Sequence, residues 1–296
     1  MMSKYKDWFL AARPWSFTMS AISVTVGAAL AAVQGHFSWF LWMLSLLALV
    51  FLHGGVNLLN DFWDVRAGID QIDTGTRQYR PHPLAEGRIK PATVLWISIL
   101  LFTLGAAIGL YLAYLRGWEI IWIGITGIAA GIFYTAPPFS YKYKALGEFS
   151  VLLMWGPLSV EGAYFIQTQS FSWAALWVSL PFGVLVALVL FANNLRDVDT
   201  DARAGVTNLA ILFGKRNGPI IYAAMVLISF SGVVIMSIFG PLGLWSLIVL
   251  LALPLALKLL RTMIRGVPRD ADARTAQLNT VFGALLVISL ALETLL

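Results

Sequence analysis

The chain has 296 residues, 59% of them hydrophobic and 12% charged, with a formal net charge of +5 and a mean hydropathy of +0.80. A soluble globular domain carries roughly 25% charged residues, so a water-soluble globule is excluded. The absence of cysteine excludes disulfides and thiolate metal centres.

Apolar stretches of roughly 20 residues, enough to cross ~30 Å of hydrocarbon as a helix, recur along the chain. Nine membrane-spanning helices are predicted: 15–34, 38–60, 92–115, 118–136, 146–168, 173–194, 219–239, 242–261 and 279–296. Because lipid cannot satisfy an open sheet edge, the predicted fold is all-α, one polytopic bundle over 1–296. The basic stretch KYKDWFLAARPW precedes the first apolar run. That run has no small-residue cleavage site and reads as a retained helix. With nine helices so placed, all but Arg116 of the 20 Lys and Arg residues fall on one side. The positive-inside rule then predicts a cytoplasmic N-terminus and a C-terminus on the far side of the membrane. The same asymmetry explains the basic balance without a nucleic-acid partner.

The far-side connections, such as GHF, QSF and FGPLG, are short and nearly uncharged. The cytoplasmic connections 61–91 and 195–218 are long and polar, and loops of that length are commonly functional or disordered. They hold eight of the 15 acidic residues: Asp61, Asp64, Asp70, Asp73, Glu86, Asp197, Asp199 and Asp201. At 100° per residue, Asn57, Asn60, Asp61 and Asp64 share one helix face, and Asn193, Asp197 and Asp201 form a second row. Asn57 and Asp61 recur 136 residues later as Asn193 and Asp197, a weak internal repeat at the same end of an even-numbered helix.

Each row ends a helix, where the backbone dipole is already negative. The carboxylates are unfavourable there unless a cation is present. One such motif alone reads as solvated loop acids balanced by nearby arginines. Two at matched positions, each continued into the membrane by asparagine, favour a site, because intramembrane polar groups are costly. The ligands are hard oxygens and the only histidines are His36, His53 and His82, which favours Mg²⁺, with Mn²⁺ or Ca²⁺ as alternatives. Mg²⁺ leaves coordination positions to phosphate, so facing rows would grip a diphosphate. Arg77, Arg80, Lys142, Lys144 and Arg196 would take its remaining oxygens. A diphosphate beneath an apolar bundle points to a lipid-linked substrate whose tail lies among the helices. With an allylic tail, aromatic faces would stabilise the developing cation, and Tyr134 is the ring singled out.

At these residues the chain resembles the UbiA superfamily of intramembrane prenyltransferases. NDFWDVRAGID is similar to the family's first aspartate-rich motif and RDVDTD to its second. RPHPLAEGRI, YTAPPFSYKYKALGE and TNLAILFGKR resemble the segments around them. The similarity runs from ARPWSF, near residue 13, to about 216. Gly68-x-Asp70 and NNLRDVDTDARAG look most like the menaquinone branch, which acts on 1,4-dihydroxy-2-naphthoate. The resemblance implies transfer of a polyprenyl group from its diphosphate to an aromatic ring carbon, with loss of the acceptor carboxylate in that branch. Related acceptors are 4-hydroxybenzoate or a lipid alcohol. It implies Mg²⁺ on Asp61, Asp64, Asp197 and Asp201, joined by Asp70. It also implies diphosphate contacts from Asn57, Arg80 and Lys144, with Asn60, Arg77, Lys142, Asn193 and Arg196 beside them, and places Arg13 at the acceptor carboxylate.

Glu161 departs from the family pattern. It falls inside the fifth helix, where a charge costs ~2.5–3.5 kcal/mol on insertion scales, and it is expected either to be protonated or to line the acceptor pocket. His53, one turn before Asn57, is expected to pack or to support the site from behind, and Asp270 and Asp272 to be solvated loop charges. Two other functions use similar residues. A cation transporter would carry acidic repeats near the bilayer midplane, often inverted, whereas these rows are parallel and at one surface. A CDP-alcohol phosphotransferase needs an Asp-Gly…Ala-Arg arrangement that DARAGV reproduces only in fragments.

Overall fold

The structure, a computed structural model, describes residues 4–69 and 81–295. Among these the chain is helical throughout: α1 Lys4–Ala12, α2 Phe17–Val33, α3 Trp39–Arg66, α4 Pro91–Arg116, α5 Glu119–Thr135, α6 Gly147–Leu153, α7 Ser159–Thr168, α8 Trp173–Arg196, α9 Val198–Arg203, α10 Leu209–Phe239, α11 Leu253–Arg265 and α12 Ala271–Leu295. Eight helical stretches among the described residues are long and apolar enough to cross a membrane, and α5 is a shorter apolar one of 17 residues. At 1.5 Å per residue α5 rises ~26 Å, slightly less than a full hydrocarbon core. These nine correspond to the nine predicted spans. The protein is an integral, multi-pass membrane bundle.

Local chemistry sets several boundaries. Ser38, Ser172 and Asn208 accept from the backbone N–H groups of Leu41, Ala175 and Ile211 at 3.4, 3.3 and 2.9 Å, starting α3, α8 and α10 with side-chain caps. Pro91 opens α4, where its missing N–H costs nothing. Three boundaries differ from prediction. α3 continues to Arg66, six residues beyond the predicted span, which keeps the whole first acidic row on the helix that its spacing predicts. α10 begins at Leu209, ten residues early, because Gly214 (φ 72°) kinks the helix without ending it. α12 begins at Ala271, because its first turns are amphipathic and fall outside a purely apolar window.

The fifth span is broken. A π turn at Met154–Leu158 separates α6 from α7, with Pro157 inside it and Gly156 at ψ −106°. Pro157 has no N–H to donate to the preceding turn. Beside the break the backbone comes close to α8. A Cβ on Gly183 would lie 2.8 Å from the Leu152 carbonyl oxygen and 3.0 Å from Gly156 Cα.

α8 is the centre of the bundle. Its Phe182, Leu185, Leu188 and Phe191 are fully buried against Tyr222 of α10, Phe282 of α12 and Val26 of α2. α3 and α4 pack as a pair on the other side, with α5 beside them. Outward faces carry Trp96, Tyr114, Trp122, Leu227 and Leu251 fully or largely exposed, as lipid contact requires. At the end opposite the acidic rows, Arg116 donates to the carbonyls of Ile166 and Gln167, each at 2.7 Å, neutralising the last carbonyls of α7.

Candidate active site

The first acidic row is buried: Asn57, Asn60, Asp61 and Asp64 are all under 10% exposed. Asn57 Nδ2 donates to Ala12 O at 3.1 Å and Ser16 Oγ at 3.2 Å, tying α3 to the α1–α2 connection. Asn60 Oδ1 accepts from Thr135 Oγ1 at 2.9 Å, tying α3 to α5. The Arg13 guanidinium bonds Asp61, and His82 Nε2 is 3.6 Å from the same oxygen. Asp64 accepts from Lys142 Nζ at 2.7 Å and from the Tyr143 hydroxyl. Arg13 itself holds a left-handed backbone, φ 53° and ψ 53°, which an L-residue adopts only when its surroundings enforce it.

Ser16 is part of that enforcement. Its single hydroxyl hydrogen goes to Arg13 O at 2.7 Å, so Asn57 and His53 Nε2, the latter at 3.2 Å, must both donate to Ser16 Oγ. His53 therefore carries its proton on Nε2, and Nδ1 accepts from Ser20 Oγ at 2.8 Å. With both ring nitrogens engaged in this chain of bonds, His53 supports Asn57 and Arg13 and is not placed to act as a base.

The second row lies where α8 meets α9. Arg196 clasps Asp197 through Nε at 2.9 Å and Nη2 at 2.6 Å. It also reaches Asn193 Oδ1 and Asp272, both at 2.8 Å. Asp201 accepts from Asn208 Nδ2 at 2.9 Å. Asp272, expected in solution, is a member of this cluster, whereas Asp270 pairs with Arg274 on the exposed surface as expected. Two backbone bonds, Ala145 N to Thr207 O at 2.8 Å and Thr207 N to Tyr143 O at 3.1 Å, join the connections that follow α5 and α9. Asn194 donates to Glu148 at 2.9 Å just behind them. The loop that supplies Lys142 to the first row is thus fastened to the loop that follows the second.

A cavity of about 560 Å³ lies between the rows. Arg13, Asn57, Asn60, Asp64, Lys142 and Asn193 form its polar end, and Tyr134, Tyr141, His53 and Trp155 continue its wall into the bundle. Burial pushes the Tyr141 phenol above its usual range, leaving it a neutral donor to Ala130 O at 2.6 Å. Lys142 Nζ stands 5.8 Å from the Tyr134 ring centre. Asp61 and Arg196 sit one hydrogen bond behind the wall, through Arg13 and Asn193, and the Asp197 carboxylate sits behind Arg196; Asp201 does not line the cavity. Lys144 does not line the cavity; it is on the outer side of its turn and contributes only its backbone neighbourhood. Glu161 is not on this wall either: it lines a second cavity and accepts from Ser172 N at 3.3 Å. The expectations for Asp70, Arg77 and Arg80 lie outside the described residues. Sequence reasoning missed Ser16, His82, Tyr143 and Asp272, although the first three lie in the motifs ARPWSF, RPHPLAEGRI and YTAPPFSYKYKALGE; only Asp272 lies outside them.

The donor set fits a hard cation. Asp61, Asp64 and Asp197 are only 3%, 4% and 8% exposed, and each has drawn in a cationic side chain. Burying paired charges on this scale is costly. Among the described residues no three acidic or histidine side chains already converge on one point, so a metal would take carboxylates from Lys142 and Arg196 and share Asp61 with Arg13. A diphosphate would take the displaced cations.

Residues 20–286 match the model of the UbiA prenyltransferase family. The chain belongs to that family. It is 28% identical over 282 residues to the 1,4-dihydroxy-2-naphthoate octaprenyltransferase of Bacillus subtilis, covering 94% of this chain and 90% of the relative. It is 32% identical over 294 residues to human UbiA prenyltransferase domain-containing protein 1, covering 98% and 84%. In fold the prenyltransferase is similar to a UbiA homolog from Archaeoglobus fulgidus bound to GPP and Mg²⁺, with a TM-score of 0.68, 15% identity and coverage of 98% and 100%. It is also similar to the apo UbiA homolog from Aeropyrum pernix K1, with a TM-score of 0.70, 15% identity and coverage of 92% and 97%.

Proposed function

We propose that this prenyltransferase is Mg²⁺-dependent and moves a polyprenyl group from its diphosphate to an aromatic acceptor, 1,4-dihydroxy-2-naphthoate, at the cytoplasmic face of the membrane. The observation that carries the reading is one cavity whose polar end takes Asn57, Asn60 and Asp64 from one row and Asn193 from the other. The name of the B. subtilis relative supports the acceptor, and the GPP and Mg²⁺ of the A. fulgidus homolog support the donor and the ion. The basic residues at the acidic end support the orientation.

Asp61, Asp64, Asp197 and Asp201 are the residues that would hold Mg²⁺, with Asp70. Mg²⁺ bound there would neutralise charge on the departing diphosphate. Lys142 and Arg196, released from their aspartates, bind phosphate oxygens. Tyr134, beside Lys142 on the wall, turns its face to the allylic carbon as positive charge develops. A guanidinium carries five N–H donors, so Arg13 can serve Asp61 and an acceptor carboxylate together. The prenyl C–O bond breaks with its electron pair going to diphosphate. The acceptor ring supplies the pair for the new C–C bond, and the carboxylate leaves as CO₂. The apolar wall around Trp155 and Leu158 keeps water from the cation.

The test is to incubate the purified protein with Mg²⁺, one allylic diphosphate and a panel containing 1,4-dihydroxy-2-naphthoate, 4-hydroxybenzoate and a lipid alcohol, and to weigh the products. The expected product is the prenylated naphthalenediol, formed with loss of CO₂. A prenylated 4-hydroxybenzoate or alcohol in its place would reject the acceptor. Undiminished turnover in EDTA would reject the metal.

A further inference from the structure

The reaction cavity has a neighbour. A second cavity of about 580 Å³ lies farther from the acidic end, walled by α5, the broken fifth span and the start of α8. The two share Met154 and Leu158 as lining residues, so these side chains stand between them. They also follow one stripe of α5. Tyr134, Gly131, Ala130 and Gly127 line the first cavity, and Thr126 and Ile123 line the second. That spacing of three and four keeps them on one helix face. Tyr134 and Ile123 are 11 residue steps apart, ~16 Å of axis.

We propose that the two cavities form one channel for the polyprenyl tail, and that Met154 and Leu158 are the partition that decides how long a tail is accepted. The inference rests on the prenyl-transfer reading of the first cavity. A pocket of ~300–1,000 Å³ encloses one drug-sized ligand, and the first cavity must already seat a diphosphate, an aromatic ring and the proximal isoprene units. A longer tail needs more room, and the adjoining apolar space is reached without leaving the α5 stripe.

The partition is built to yield. It lies on the π turn, where the regular i to i−4 bonding of the span is interrupted, and such bulges recur at functional sites. Met154 is unbranched and adapts to irregular space. Leu158 leans over Gly127, whose absent side chain leaves its Cδ2 3.5 Å from where a Cβ would stand. The far end is polar: Glu161 accepts from Ser172 N at the N-cap of α8. A hydrocarbon tail gains nothing by passing a carboxyl group, so Glu161 marks the end of the channel.

The experiment compares kcat/KM for geranyl diphosphate and octaprenyl diphosphate, each with the aromatic acceptor, in the unsubstituted protein and three variants. Leu176→Trp fills the second cavity from α8 and Ile123→Trp fills it from α5, so loss of folding in one variant leaves the other to decide. In either, the octaprenyl-to-geranyl ratio is expected to fall at least tenfold. Leu158→Ala, which removes one of the two side chains of the partition, is expected to raise that ratio. An unchanged ratio in both tryptophan variants, with the unsubstituted protein turning over both substrates, overturns the channel and leaves the space to membrane lipid. No turnover of either diphosphate by the unsubstituted protein overturns the prenyl-transfer reading, and this one with it.

Discussion

Asp64 and Lys142 meet at 2.7 Å across 78 residues of sequence, and Asp61 meets Arg13 across 48. Each aspartate is both the partner of a cation and a proposed metal ligand, so removing its charge affects ion binding more than packing. Asp61→Asn and Asp197→Asn are near-isosteric and should lower kcat/KM at least ~100-fold, the upper range for groups that support a metal. Both variants should still fold in detergent, with a thermal midpoint lowered because Arg13 or Arg196 loses a buried partner. Near-parental rates in both variants would end the metal assignment. The two lysines of YKYK separate in the same way. Hydrogen bonds to charged groups are worth ~1.5–3 kcal/mol, so Lys142→Met should raise the KM for prenyl diphosphate roughly tenfold or more. Lys144→Met, a change away from the cavity, should move it less than about twofold. The reverse order would show that Lys144, not Lys142, holds the diphosphate.

At the level of elements, the reaction cavity depends on how closely the broken fifth span can approach α8. Gly183 and Gly156 meet backbone to backbone, a contact between small residues typical of helices packed in lipid. A methyl group on Gly183 has a carbonyl oxygen and an α-carbon in its way, and neither can rotate aside. Overpacking of this kind costs ~1–3 kcal/mol. Gly183→Ala should therefore lower the thermal midpoint. Val184→Ala, a truncation at the next position of α8, which is only partly buried, is the control and should lower it less. An unshifted midpoint in Gly183→Ala would mean that the two helices separate easily and that the cavity wall is loosely packed.

For the molecule as a whole, the charge asymmetry makes a prediction that the fold alone does not. The chain has no cysteine, so single-cysteine variants report accessibility without background. Arg203→Cys at the acidic end and Ser170→Cys at the other, both exposed positions, should react with a membrane-impermeant maleimide from opposite sides of sealed vesicles. Arg203→Cys is expected on the cytoplasmic side. Labelling of both from one side would reject the nine-span topology, and an exchange of sides would reverse its orientation.

The apolar windows, the charge bias and the two asparagine–aspartate rows were legible because each is a local or additive property. Helix period places Asn57 and Asp64 on one face whatever lies around them. The boundaries of α10 and α12 were less legible, because a capping Asn208 and an amphipathic first turn extend helices beyond their apolar cores. What only the tertiary structure decided was partnership. Arg196 reaches Asp272 over 76 residues, Lys142 and not Lys144 faces the cavity, and Glu161 belongs to a different cavity. Those outcomes depend on which helices pack together, and no spacing within a single helix carries that information.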